Sequence, residues 1–325
     1  MTPLLSVCLI TYNHVKYIEQ AIEGVLMQKV NFSWEIVIAD DCSVDGTREI
    51  LIAYQKKHPE LIKLILQEKN VGAYQNWMDL ITYPQSKYIA YFDGDDYWTN
   101  PVKLQTQVDF LEANPDYVIC AHEVDVLKDG AILPPDPQSP TTEMTYSITD
   151  LAKRNLFHTA SVVFRTGLIP QFPSWLNESP VGDYVLHMLN AKKGKLKFLP
   201  EIMAVYRRHD TGAWSAMAEL KRHESWIKVL SLLLTEPFQE DVIEQLKAQK
   251  REHATHYLKC LMLNDRELFL QKLKDFTKDD PQFGNEWLLV HYPQYIWWLT
   301  DSKSYRFAQS LSRVVGYFKR SGKSE

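Results

Sequence analysis

The chain has 325 residues, 45% of them hydrophobic, and a formal net charge of −5 with no long block of like charge. That size suits one large α/β domain with an appendage, or two domains, and the charge disfavours a nucleic-acid binder. Four scattered cysteines (Cys8, Cys42, Cys120, Cys260) form no CxxC pair, which suits a reducing compartment rather than a disulfide framework. Leu4–Thr11 is apolar on both faces, as a central parallel strand should be. It lacks a preceding basic segment and ends at Thr11, Tyr12 and Asn13, so it reads as a strand and not a signal peptide. No apolar run reaches the roughly 18 residues of a membrane-spanning helix.

Helical spacing follows at Lys16–Gln28, through Ile18, Ala21, Ile22, Val25 and Leu26. Glu35–Ala39 is the next strand and ends at Asp40 and Asp41. Asp45 then stands where it can cap a helix over Thr47–Lys57. Leu61–Leu66 reads as a strand, Val71–Ile81 as a helix and Tyr88–Phe92 as a strand. Pro101 opens a helix over Val102–Ala113, and Tyr117–Val126 returns as a strand. Asp129–Ser147, rich in Pro, Ser and Thr, reads as a long loop of the kind that forms lids or binding loops. Ala160–Arg165 is expected as a strand, Val181–Ala191 as a helix, and Lys197–Leu199 and Ala204–Tyr206 as two short strands. Helices are expected over Leu220–Leu234, Gln239–Leu263 and Arg266–Thr277. The β-α-β-α order predicts a mainly parallel sheet with helices on both faces. Ligands of such sheets bind outside the carboxyl ends of the strands. The polar clusters stand there: Thr11 to Asn13, Asp40 and Asp41, Asn70 to Gly72, and Asp93 to Asp96.

The segment YIAYFDGDDYW packs three carboxylates behind an apolar run. A calcium-binding EF-hand loop counted from Asp93 fails, because Trp98 and Leu104 fall where Gly and Glu are required. A phosphatase nucleophile in a DxDx[TV] motif fails at Tyr97. A polar turn, or a divalent-metal site holding a diphosphate, remain open; carboxylates suit Mg²⁺ and Mn²⁺.

The company of this cluster is more specific. LSVCLITYNHVKYIEQAIEGVLMQ, FSWEIVIADDCSVDGTREIL, NVGAYQNW, YIAYFDGDDYW, VGDYVLHMLN and YRRHDTGAWS occur in that order over roughly Leu4 to Ser215. Together they resemble the inverting nucleotide-sugar glycosyltransferases of family 2. The resemblance implies a GT-A fold over residues 1–215, followed by a C-terminal helical extension over 216–325. It implies transfer of a sugar from a nucleotide-diphosphate donor, expected to be UDP-linked, to a saccharide or lipid-linked saccharide in polysaccharide or glycolipid assembly.

By the same resemblance Thr11, Tyr12, Asp41, Asn70 and Gly72 contact the nucleotide or donor. Asp93 and Asp95 are the DxD carboxylates, with Asp93 toward ribose or sugar and Asp95 on the metal, Mn²⁺ or Mg²⁺. His209 is a further metal ligand, and Arg208 (or its neighbour Arg207) a phosphate contact. Asp96 and Trp98 shape the donor and acceptor pocket. Asp183 is the catalytic base; the Glu-Asp pair usual at that point is Gly182-Asp183 here. Two rivals are a nucleotidyltransferase, whose Gly-rich basic loop after the first strand is missing, and a sugar-nucleotide-binding scaffold without activity, against which Asp95 and Asp183 argue.

His253, His256 and Cys260 share a helical face, which ordinary packing explains without zinc. Tyr295–Lys323 combines Trp297, Trp298, Phe307, Leu311 and Phe318 with Lys303, Arg306, Arg313, Lys319, Arg320 and Lys323. That composition fits an interfacial helix on an anionic membrane or a closing helix packed on the domain. The expected location is cytoplasmic, in the first case peripheral at the inner face of the membrane.

Overall fold

The computed structural model describes residues 2–134, 137, 139–212 and 214–299. From residue 300 onward, the basic stretch expected as an interfacial or closing helix lies outside the described residues.

The predicted alternation forms one mixed sheet. β1 (Leu5–Thr11) pairs in parallel with β2 (Trp34–Asp40) on one side and β4 (Tyr88–Asp93) on the other, and β2 pairs in parallel with β3 (Ile62–Leu66). The strand order is β3-β2-β1-β4-β9-β6-β10-β5. Short β9 (Val163–Arg165) runs antiparallel between β4 and β6 (Tyr117–Lys128). β10 (Lys195–Arg208) runs parallel to β6, and β5 (Tyr97–Trp98) closes the edge antiparallel to β10. The two short strands expected at 197–199 and 204–206 are thus one strand, interrupted by register shifts beside Leu199 and Ile202. Asp129–Ser147 is not wholly a loop. β7 (Ala131–Ile132) pairs with β6, and β8 (Met144–Tyr146) pairs with β10.

The period-2 pleat sorts β1 into two cores. Leu5, Val7 and Leu9 face a layer built on α1 (Ile18–Leu26), α2 (Thr47–Lys57) and α4 (Lys103–Ala113). Cys8 and Ile10 face a layer built on α3 (Ala73–Thr82), α6 (Gly182–Ala191) and α7 (Glu219–Leu233). Burial on both faces is why this strand reads as an apolar run broken only by Ser6, whose hydroxyl donates to Glu35 at 2.7 Å. Between β8 and β9 lies α5 (Ile148–Leu151), started by a capping box in which Ser147 and Asp150 exchange hydrogen bonds.

By packing, the chain divides into two compact units, Met1–Lys250 and Arg251–Glu325. The division falls within α8 (Glu240–Asn264), which α9 (Arg266–Asp279) and α10 (Pro281–Leu299) follow. In the second unit Arg251 Nε donates to Asp280 Oδ2 at 2.7 Å, and Trp287 packs on Phe269. No helix among the described residues is long and apolar enough to cross a membrane.

Candidate active site

Hydrogen bonds stitch the strand ends together. Asn13, in the left-handed region at φ 55°, follows β1. Its N–H donates to Ser43 Oγ at 2.8 Å, and its side-chain oxygen accepts from Val44 N at 3.0 Å. Beyond β2, Asp40 is fully buried and occupied. It accepts from the Ser43 hydroxyl and from Arg48 Nε at 2.6 Å. Asp41 reaches across to the next loop, where its two oxygens accept from Val71 N at 2.7 Å and Gly72 N at 3.0 Å. Gly72 sits at φ +88°, a conformation that costs a side-chain-bearing residue free energy, and it starts α3.

The acidic turn is held equally tightly. Gly94 N donates to the Ile10 carbonyl at 2.8 Å. A Cβ at Gly94 would stand 3.0 Å from Ile18 Cδ1 and 3.1 Å from Ile10 O, so the turn crosses the end of β1 too closely for a larger residue. Asp96 is buried and accepts from Arg207 N at 2.8 Å. The Arg207 guanidinium donates to the Asp95 carbonyl and to Gln20, and packs over Tyr97 and Tyr17. Of the two arginines, Arg207 therefore braces the turn, while Arg208 lines the adjoining cavity.

Asp95 meets two imidazoles. His209 Nε2 lies 3.0 Å from Asp95 Oδ2, and His14 Nε2 lies 3.9 Å from the same oxygen. Thr211 Oγ1 is 2.9 Å from His209 Nδ1. A hydroxyl can donate or accept, so Thr211 serves either tautomer of His209, including the one whose Nε2 is free to bind a metal. His14 Nδ1 is 3.2 Å from Thr11 Oγ1, and the His209 ring packs against Tyr17 at a tilt of 39°. Sequence reasoning missed His14 as a site residue, although it stands in the TYNH segment.

A cavity of about 1080 Å³ opens beside this turn. Ile10, Tyr91 and Asp93 stand at its sheet end, and Asp183, Arg208 and His209 also line it. Asp183 is in the first turn of α6. Its Oδ1 accepts from Tyr184 N at 2.7 Å, and its Oδ2 accepts from the Thr159 hydroxyl at 2.9 Å. Thr159 carried no signal in the sequence: its short turn reaches Asp183 only through the packing of the sheet. Removal from water, then the charges of Asp95 and Asp183, push the Asp93 carboxyl up to about 8. Burial, then Asp95 and Asp93, likewise hold Asp96 well above the usual carboxylate range. Like charges this crowded keep a proton unless a cation replaces it.

The expected residues thus fall into three sets. Asp93, Asp183, Arg208 and His209 share one cavity, with Asp95 bonded to His209. Thr11, Tyr12, Asp41, Asn70 and Gly72 are outside that cavity's lining: Thr11 ends β1, and the others stand on the adjoining loops after β1, β2 and β3. Asp96 and Trp98, expected in the acceptor pocket, stand behind its wall. Trp98 is 2% exposed, stacks on Phe92, and donates from Nε1 to the Ala160 carbonyl at 2.9 Å. The short β5 turns this ring into the core instead of the cleft.

This sheet and its polar carboxyl edge have the GT-A architecture. The model of glycosyl transferase family 2 matches residues 6–168, and the chain belongs to that family. An uncharacterised protein of Mycobacterium tuberculosis is 37% identical over 229 residues, covering 68% of this chain and 63% of its own. The chain thus spans somewhat less than two thirds of that relative. A Bacillus subtilis protein named as a teichuronic acid biosynthesis glycosyltransferase is 40% identical over 109 residues, 34% of this chain and 42% of its own. The crystal structure of Staphylococcus aureus TarS 1–349 in complex with UDP-GlcNAc superposes with a TM-score of 0.68 at 18% identity, covering 96% of this chain and 92% of that one.

Proposed function

We propose that the protein is a metal-dependent inverting glycosyltransferase that moves a sugar from a nucleotide-diphosphate donor, UDP-linked, to a saccharide or lipid-linked saccharide during polysaccharide or glycolipid assembly. The observation that carries the reading is the pair Asp93 and Asp183. They come from the end of β4 and the start of α6, line one cavity, and are close enough to raise the protonation of Asp93. The nucleotide lies along the loops of Thr11, Tyr12, Asp41, Asn70 and Gly72, and the donor sugar points past Asp93 into the cavity. UDP-GlcNAc in the TarS complex and the teichuronic acid name of the Bacillus relative support donor class and pathway class.

Asp95 and His209 fit a hard divalent ion. Their ligating atoms already stand 3.0 Å apart, one is a carboxylate oxygen, and the crowded carboxylates call for positive charge. Among the described residues no group of three His, Cys, Asp or Glu side chains could hold a metal by itself. That suits Mg²⁺ or Mn²⁺, which take one or two protein ligands and complete their shell with substrate phosphates and water. When bound, the ion supplies Lewis-acid stabilisation of the departing diphosphate. Arg208 adds positive charge on the same side.

Asp183 takes the proton of the acceptor hydroxyl as that oxygen bonds to the anomeric carbon. The bond from that carbon to the diphosphate breaks, its electron pair leaves with the nucleotide, and configuration inverts. The GT-A domain is residues 1–215, on which α7 packs as the first helix of the C-terminal extension, and the basic stretch from Tyr295 onward brings the enzyme to an anionic membrane from the cytoplasmic side.

The test is a thermal-shift panel of nucleotide sugars with Mn²⁺ or Mg²⁺, followed by donor hydrolysis with Asp183→Asn. Metal-dependent stabilisation by one donor, and hydrolysis lost in the variant while donor affinity survives, is the expected result. No stabilisation by any sugar nucleotide would remove the reading.

A further inference from the structure

Three side chains of the cavity wall hold a buried polar atom with no hydrogen-bond partner among the described residues: Trp77 Nε1, His122 Nε2 and Glu123 Oε2. Trp77 and His122 are 5% and 2% exposed, and both still line the cavity. Buried polar groups are almost always paired, so three orphans that all belong to the lining of one cavity ask for a ligand.

Their chemistry is readable. His122 Nδ1 lies 2.7 Å from the Glu123 carbonyl, which only accepts. Nδ1 therefore carries the proton, and Nε2 offers a lone pair. Burial, followed by the charges of Lys103 and His158, holds this imidazole neutral. Glu123 Oε1 accepts from Val124 N at 2.8 Å, which leaves Oε2 as a second waiting acceptor. Trp77 Nε1 can only donate. The irregularity between β6 and β10, opposite His122 to Val124, is a device that re-aims side chains near active sites. The ring of Trp77 packs against Gly182, beside Asp183, so the wall adjoins the proposed base.

One donor and two acceptors exclude most ligands. An anion would face two lone pairs, and an apolar group would leave all three atoms unpaired. A hydroxyl both donates and accepts, so a polyol satisfies the whole set.

We propose that Trp77, His122 and Glu123 form the hydroxyl-recognition subsite for the acceptor, which presents a neutral saccharide unit with at least two hydroxyls to this wall. The inference rests on the glycosyl-transfer reading of the cavity. It makes these residues determinants of acceptor choice, separate from the donor and metal groups.

The experiment is saturation-transfer NMR of the full chain with UDP and Mn²⁺ and a panel of methyl glycosides (gluco, galacto, manno and N-acetylglucosamine). UDP affinity is measured by calorimetry in parallel. At least one glycoside is expected to saturate, and His122→Phe and Glu123→Gln each to weaken it about tenfold with UDP affinity kept. If a variant loses UDP affinity as well, Trp77→Phe, which keeps the ring and removes the N–H, decides in its place. UDP binding with no glycoside bound, or glycoside binding undiminished in the variants, overturns the subsite. Failure of UDP itself to bind overturns instead the donor reading beneath it.

Discussion

The Thr159 hydroxyl donates to Asp183 Oδ2 at 2.9 Å, while the other carboxylate oxygen takes the N–H of Tyr184 at 2.7 Å. The proposed base is therefore held in one orientation from two sides. Tyr91 and Asp93 face it from β4, and His187 lies one helical turn away on α6. Thr159→Val should leave donor affinity near wild type and lower turnover at least about tenfold, since positioned acid–base groups are worth roughly 10²–10⁴. Thr159→Ser, which keeps the hydroxyl, should restore turnover. Turnover equally low in the serine variant, or unchanged in the valine variant, would make the contact merely structural.

Asp95→Asn tests the metal assignment. The amide keeps the size of the side chain and removes the charge that a divalent ion needs. Calorimetry of UDP with and without Mn²⁺ should show that the gain from Mn²⁺ disappears in the variant. A gain equal to that of wild type would take Asp95 off the metal.

Asp40 stands beside Asp41 in sequence, but its environment is that of a strut. Its side chain is fully buried and paired with Arg48 at 2.6 Å. Asp40→Asn breaks the charge pair and should cost about 3 kcal/mol. The readout is the urea midpoint at unchanged slope. A midpoint within error of wild type would show that the pair contributes nothing net.

Lys103 supplies a pH prediction for stability. It is fully buried, lies over the Trp98 ring, and donates to Gln107 at 2.8 Å. Burial pushes its ammonium down from 10.5 to about 7. Between those values the unfolded chain binds more protons than the folded one, so stability rises with pH from about 7 toward 10.5. Lys103→Met should flatten this slope. Melting temperatures of both proteins across that range give the comparison, and parallel curves would rule the linkage out.

Sequence by itself determined the order of elements, the central strand and the polar edge. Those features are local: Leu4–Thr11 carries apolar residues on both of its faces because both faces of β1 are covered, and strand ends are marked by the residues that break them. The resemblance of the ordered motifs likewise singled out Asp93, Asp95, Asp183, Arg208 and His209. Tertiary structure decided what these residues touch. Neighbouring residues in one motif part ways: Arg207 braces the acidic turn while Arg208 lines the cavity, and Trp98 turns into the core although Asp95 stays at the site. Thr159 on Asp183 and His14 beside Asp95 depend on long-range packing of the sheet. So do the unpaired atoms of Trp77, His122 and Glu123. Side-chain chemistry and spacing are written along the chain, whereas which polar atoms are left facing a cavity depends on how distant segments satisfy one another's hydrogen bonds.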